Sequence, residues 1–205
     1  MDYDLMLNYV YDVLKQNNAI KSKKPTQFFR SRATHTYRVL EWAKRIKADR
    51  PNCNEEILYT ACIFHDVGYA FGKDNHAAYS AKIFKDYAEK NNFDSEFTKE
   101  VTRIIALHSD EKLLKDPNSS DELVLLLEAD LLDEEGAMGI VWDLLSQGYN
   151  ECDNYEVALD AIWTHSSHIL NQDYMVTPIA KKYWDEKKEL VSNFIKHLES
   201  DLFLG

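Results

Sequence analysis

The chain has 205 residues, with 24 Lys and Arg against 35 Asp and Glu, a formal charge of −11, and 45% hydrophobic residues. This composition excludes a disordered chain and, with no dense Lys/Arg stripe, a general binder of nucleic acid polymers. A single chain of this length buries roughly 70% of the surface it exposes unfolded, so a metal here has to be justified by chemistry rather than by stability.

Only six Gly and four Pro interrupt the sequence, and its apolar residues recur at three and four rather than at two, which predicts an all-α fold. Segment 2–17 gathers Leu5, Met6, Tyr9, Val10, Val13 and Leu14 on one face and stops at Asn17-Asn18, before a basic connector from Lys21 to Pro25. A second helix is predicted over about 26–48, ending before Pro51. Asn54 then caps EEILYTACIFHD, whose end is marked by Gly68 and Gly72 and which leaves His65 and Asp66 at a C-terminal turn.

A fourth helix opens near Asn75, and a fifth, capped by Ser95, ends close to His108. The run LVLLLEADLLDEEGAMGIVWDLL is apolar on nearly every side, places Asp130 inside it, and is expected through the middle of the molecule. Segment 154–170 and a long segment from Pro178 to about Leu202 complete a helical bundle, the latter with Ala180, Tyr183, Trp184, Leu190, Phe194 and Leu198 as its buried stripe. No repeat or linker divides the chain, so one domain over 1–205 is expected, with a core at about 28–145 and a helical extension over 146–205. Cys53, Cys62 and Cys152 lack CxxC spacing and an even count, which points to a reducing, cytoplasmic setting. The acidic, amphipathic opening stretch and the short apolar run 123–127 predict no membrane partner.

His35, His65, His76 and His108 stand at the ends or apolar faces of four successive predicted helices, and Asp66 and Asp130 share that position. Each acid lies in apolar sequence, IFHDVG and LLLEADLL, where an inward carboxylate needs a partner charge. A bound cation is the simplest partner, and imidazole with carboxylate suits Mn, Fe, Co, Ni or Zn better than Ca. His165 and His168 share a helix without a carboxylate at matching spacing and read as packing or substrate-pocket residues; His197 reads as an interface or surface residue. Arg32 and Arg38, one turn either side of His35, are read as binding substrate or pairing with nearby acids. Asp133 and Glu134, a turn beyond Asp130, are placed to orient a ligand His or move a proton, whereas Glu128 faces elsewhere and reads as structural.

His35, the His65-Asp66 pair and Asp130, flanked by THTYRVLEWA, FHDVGY and LLEADLLDEEGAMGI, resemble the HD superfamily of metal-dependent phosphohydrolases, in particular a bacterial branch with an ADxLDxxGAxGI stretch. The resemblance spans about 28–145, and the C-terminal TPIAKKYWDEKKELVSNFIKHLESDL looks like the same branch. It implies an HD-domain helical bundle in which His35, His65, Asp66 and Asp130 hold one metal. His76 and His108 match the extra histidines of dinuclear members, with Asp66 bridging. It further implies one or two divalent ions (Mn, Fe, Co or Ni, with Mg also admitted) and a metal-activated hydroxide that attacks a phosphoester or pyrophosphate of a small substrate such as a nucleotide. Asp66 is then catalytic, Lys73 in the loop GKDNH neutralises phosphate oxygens, and Arg32 and Arg38 assist binding.

Two other readings stay open: a di-iron oxygenase on the same fold, and a non-catalytic module that senses a nucleotide or dimerises. Twelve Tyr and four Trp make a homodimer reasonable. Tyr69, Ala70 and Phe71 stand where guanosine-polyphosphate hydrolases and HD 5′-nucleotidases place acids, and no Gly-Tyr-Pro signature of cyclic di-nucleotide phosphodiesterases follows the doublet. Leu131 stands where the branch often has a basic residue, and no Arg lies near Trp142, so phosphate recognition has to come from elsewhere or be weaker.

Overall fold

A computed structural model of the chain describes residues 1–149 and 154–203, so Cys152 and part of the expected 146–205 extension lie outside the described residues. The described residues form α-helices linked by short 3-10 turns, with no strand among them beyond one isolated bridge. Helix α1 (Tyr3–Gln16) is capped by Asp2, whose carboxylate accepts from Leu5 N–H, and buries Met6, Val10 and Leu14 at four-residue spacing. It ends where Asn18 takes a left-handed φ of 52°.

Helix α2 spans Arg32–Ile46 rather than 26–48. The preceding residues instead fold as a closed loop: Ser22 N–H donates to Arg30 O (2.9 Å), Arg32 N–H to Ile20 O (2.8 Å), and Lys21 bridges Ser31. Ser31 then caps α2 by accepting from Thr34 N–H. Helix α3 (Glu55–Phe64) begins at Asn54 as expected, with Asn54 Oδ1 accepting from Glu56 and Ile57. Helix α4 (His76–Lys90) packs on α5 (Ser95–Leu107), whose cap is Asp94 rather than Ser95.

The long apolar run is two helices, α6 (Asp121–Glu134) and α7 (Ala137–Tyr149), separated where Gly136 adopts a φ of +75°. Helix α6 is the central element, packed against α2, α3 and α9 (Pro178–Asp201), and it buries residues on every side. Glu128 is fully buried on it and is structural, accepting from Val176 N–H, Thr177 N–H and Thr177 Oγ1 at 2.7–2.8 Å, which anchors the start of α9. Helix α8 (Tyr155–Thr164) and a 3-10 turn over Ser166–Asn171 fill the 154–170 segment. The stripe of α9 is Ala180, Trp184, Val191 and Ile195; Leu190 and Phe194 are exposed, because the core contacts fall one residue further along. No helix of the described residues is long and apolar enough to cross a membrane.

Candidate metal centre

Five helices deliver the polar residues of the core to one place. His35 comes from the first turn of α2, His65 caps α3, Asp66 opens the 3-10 turn Val67–Ala70, His76 begins α4, His108 caps α5, and Asp130 projects from α6. His35, His65, Asp66 and His108 are at most 4% exposed.

The four imidazoles are oriented alike. His65 Nδ1 donates to Cys62 O (2.7 Å), His76 Nδ1 to Lys73 O (2.8 Å) and His108 Nδ1 to Ile105 O (2.7 Å); in α3 and α5 these are carbonyls of the last turn, which a helix leaves without an internal donor. His35 Nδ1 bonds instead to Asp133 Oδ2 (2.7 Å); the same carboxylate takes a two-pronged pair from Arg38, Nε to Oδ1 at 2.6 Å and Nη2 to Oδ2 at 2.8 Å. With each Nδ1 proton so engaged, four Nε2 lone pairs converge.

What they converge on is carboxylate. Asp66 Oδ2 lies 3.4 Å from His35 Nε2, while its Oδ1 lies 3.4 Å from His108 Nε2 and 3.6 Å from His76 Nε2. Asp130 Oδ1 is 3.1 Å from His35 Nε2 and 3.8 Å from His65 Nε2, yet it is buried with no hydrogen-bond partner. His35 and His65 also oppose each other, Nε2 to Nε2, at 3.3 Å. Acceptors facing acceptors at these distances are what a cation resolves, and nitrogen with carboxylate oxygen is the donor set of a divalent transition metal. The donor atoms of His35, His65 and Asp66 lie mutually within 4.8 Å, as do those of Asp66, His76 and His108, so the cluster is able to hold a metal and Asp66 is common to both triads.

Without a cation, protons answer the same field. Burial pulls the His35 imidazole down, but the facing carboxylates of Asp130, Asp133 and Asp66 hold it well above its ordinary value. Burial dominates at His65 and pushes it down to about 4. Asp130, although buried, is held down at about 2 by the His35 and His65 rings.

The other sequence-derived residues divide. Arg32 is in the site: its Nη1 donates to Asp66 Oδ2 (2.8 Å) and its guanidinium stacks on Tyr69, 3.6 Å from the ring centre. Arg38 lies behind His35, bound to Asp133, not among the Nε2 atoms. Asp133 thus orients the His35 ring, whereas Glu134 pairs with Arg30. Lys73 is exposed, and it is its carbonyl that contacts the cluster, through His76. His165 and His168 border a cavity of about 540 Å³ beside Glu135, Asp143 and Trp142, where His168 Nε2 meets Glu135 at 3.1 Å.

Three residues were missed. Ser109 Oγ stands before the second triad, 3.1 Å from His76 Nε2 and 3.5 Å from His108 Nε2; its only sequence signal is adjacency to His108. Tyr69 stacks on the His76 ring at 4.3 Å. Arg30, stacked on Trp142 at 3.9 Å, was hidden inside the misplaced start of α2.

Comparison with known proteins places this site in context. A model of the HD domain matches residues 32–135, just over half of the chain. No match is found among curated proteins. Among solved structures, an HD-superfamily hydrolase from Bacillus thuringiensis superposes with a TM-score of 0.72 at 20% identity, covering 99% of this chain and 97% of that one. Bacillus subtilis YpgQ in complex with ADP gives 0.68 at 20% identity (97% and 94%), and a predicted HD superfamily hydrolase from an uncultured Thermotogales bacterium gives 0.64 at 22% (97% and 92%).

Proposed function

Because the chain belongs to the HD-domain family, we propose that it is a metal-dependent phosphohydrolase, acting on a phosphoester or pyrophosphate bond of a small substrate, a nucleotide above all. The observation that carries this reading is Asp66, a buried carboxylate with one oxygen turned to His35 and the other to His76 and His108. His35, His65, Asp66 and Asp130 would hold one divalent ion (Mn, Fe, Co, Ni or Mg), and His76 and His108 a second shared through Asp66. Bound there, such ions supply Lewis-acid charge and a water of lowered pKa.

The rest falls to the chain's own side chains. The Nδ1 anchors fix four rings before substrate arrives, so no reorganisation is required at reaction. Burial opposes the charge of Asp66, but the His65, His108 and His35 rings, and after them Arg32, hold it well below the usual carboxylate range; Arg32, held flat against Tyr69 and bonded to Asp66, presents its remaining N–H groups to phosphate oxygens. The cavity of about 540 Å³ bounded by Trp142, Gln147 and His165 is large enough for the organic part of a nucleotide. A complex of Bacillus subtilis YpgQ with ADP supports a nucleotide as ligand class. We place the protein in the cytoplasm, in keeping with two buried free thiols among the described residues.

The test is phosphate release from nucleoside mono-, di- and triphosphates and p-nitrophenyl phosphate, each with Mn, Co, Ni and Mg. Turnover that disappears in Asp66→Ala is expected. Wild-type turnover retained by Asp66→Ala on every substrate would refute the mechanism.

A further inference from the structure

In a chain of charge −11, one cleft is lined by six cations and no carboxylate. It measures about 270 Å³, and Lys21, Lys23, Lys24, Arg30, Arg32 and Lys73 border it. Four of the six come from the closed loop before α2, Arg32 is the first residue of that helix, and Lys73 lies in the loop after the His65-Asp66 pair, so the concentration of charge is created by folding.

Two of the cations are fixed and partnered. Arg30 lies over Trp142 and pairs with Glu134, and Arg32 lies over Tyr69 and pairs with Asp66. The ammonium groups of Lys21, Lys23, Lys24 and Lys73 have no ion-pair partner among the described residues, although acids are in excess over the chain as a whole. The loop that carries three of them is held in place. Its two stems are joined by the hydrogen bonds from Ser22 and Arg32, and its tip is tied to α7, where Ser146 Oγ donates to Thr26 O at 3.0 Å. A fixed concavity with four positive charges unpaired among the described residues is complementary to an anion.

The cleft and the ligand cluster share a wall: Arg32 lines the cleft and touches Asp66, and Tyr69 lines it and stacks on His76. An anion bound along it therefore lies beside the ligand cluster. Resting on the phosphohydrolase reading, we propose that the cleft holds the unreacting phosphates of a substrate with a chain of two or more phosphates, so that the bond cleaved is P–O–P. In that step a water oxygen bonds to the phosphorus nearest the ligand cluster and the bridging P–O bond breaks. Its electron pair leaves on the phosphate oxygen held by the cleft, one proton of the water ends on a product phosphate, and the other is released to solvent.

The variant that tests this is Lys21→Gln/Lys23→Gln/Lys24→Gln, whose three side chains are exposed and outside the core. Calorimetry with inorganic tripolyphosphate on protein freed of metal by dialysis reads the cleft alone. Wild type is expected to bind, and the triple variant at least about tenfold more weakly, the low end for three screened charge contacts. With metal restored, the ratio of kcat/KM for a nucleoside triphosphate to that for p-nitrophenyl phosphate is expected to fall about tenfold in the variant, through KM. Equal tripolyphosphate binding by the two proteins, or an unchanged ratio, overturns the proposal. Turnover of monoesters with none of di- or triphosphates overturns it while leaving the hydrolase standing; no turnover of any phosphate compound removes both.

Discussion

Replacing Asp133 by Asn keeps the size of a side chain that touches no metal donor directly, and it should nevertheless cost metal affinity. The carboxylate accepts three hydrogen bonds, one from His35 Nδ1 and two from Arg38, with Oδ2 shared between them. Burial opposes its charge, but His35 and Arg38 hold the Asp133 carboxyl below the usual range. An amide has one oxygen where the carboxylate has two. With that oxygen toward His35, the NH2 faces Arg38 Nε, donor against donor. With the amide turned, the NH2 faces His35 Nδ1, which then accepts, and the ring's proton moves to Nε2, where it blocks the lone pair meant for the cation. Either outcome weakens the ligand, and loss of such a supporting contact typically lowers metal affinity about 10–100-fold, or about 1.4–2.7 kcal/mol. Titration of metal-free protein with Mn or Co against a chromogenic chelator at pH 7 measures this. Arg38→Ala keeps the Asp133–His35 bond and should lose less than about tenfold. An Asp133→Asn protein that is folded and binds metal within about twofold of wild type would refute the idea that this carboxylate sets the His35 tautomer.

Metal content per chain, by elemental analysis of protein purified without chelator, is expected to be about two and to fall to about one in His76→Ala and in His108→Ala; one metal in all three proteins rejects the second site. Gly68→Ala should uncouple α4 from the metal centre, because an added Cβ would collide with His76 O and lie 2.6 Å from Ser80 N. About 2–3 kcal/mol of destabilisation, a fall in Tm of roughly 5–10 °C, and loss of the His76 metal before the other are expected from thermal unfolding and metal analysis. Glu128→Ala strands three donors of residues 176 and 177, two of them buried, so denaturant unfolding should show a loss of about 2–3 kcal/mol; metal stoichiometry should not change.

The fold class and the meeting of His35, His65, Asp66, His76, His108 and Asp130 in one place were legible because both rest on local signals. Period-three-and-four apolar spacing gives the helices, and a histidine at a helix end in apolar sequence has few partners but a cation. Residues 28–30 misled because Phe28, Phe29 and Arg30 continue the apolar-and-basic pattern of α2, while the backbone of residues 30–32 is taken up by residues 20–22, a pairing no local window reveals. Leu190 and Phe194 misled for a related reason: α9 presents both a Leu/Phe and a Val/Ile stripe, one residue apart, and only contact with the rest of the bundle chooses between them. The basic cleft is a through-space object: Lys73 is about forty to fifty residues from the other cations in it, so the sequence offers Lys73 as a phosphate contact and 21–25 as a basic connector without showing that they share one cleft.

The ring anchors also bear on how such a site withstands mutational drift. Three of the four histidines point correctly because a main-chain carbonyl three positions earlier receives the Nδ1 proton. No codon change deletes a carbonyl, so those orientations persist through almost any substitution that leaves the local backbone in place. His35 depends on a side chain 98 positions away, which a single base change can remove. Selection on this centre should therefore fall unevenly, heaviest outside the ligands themselves at Asp133.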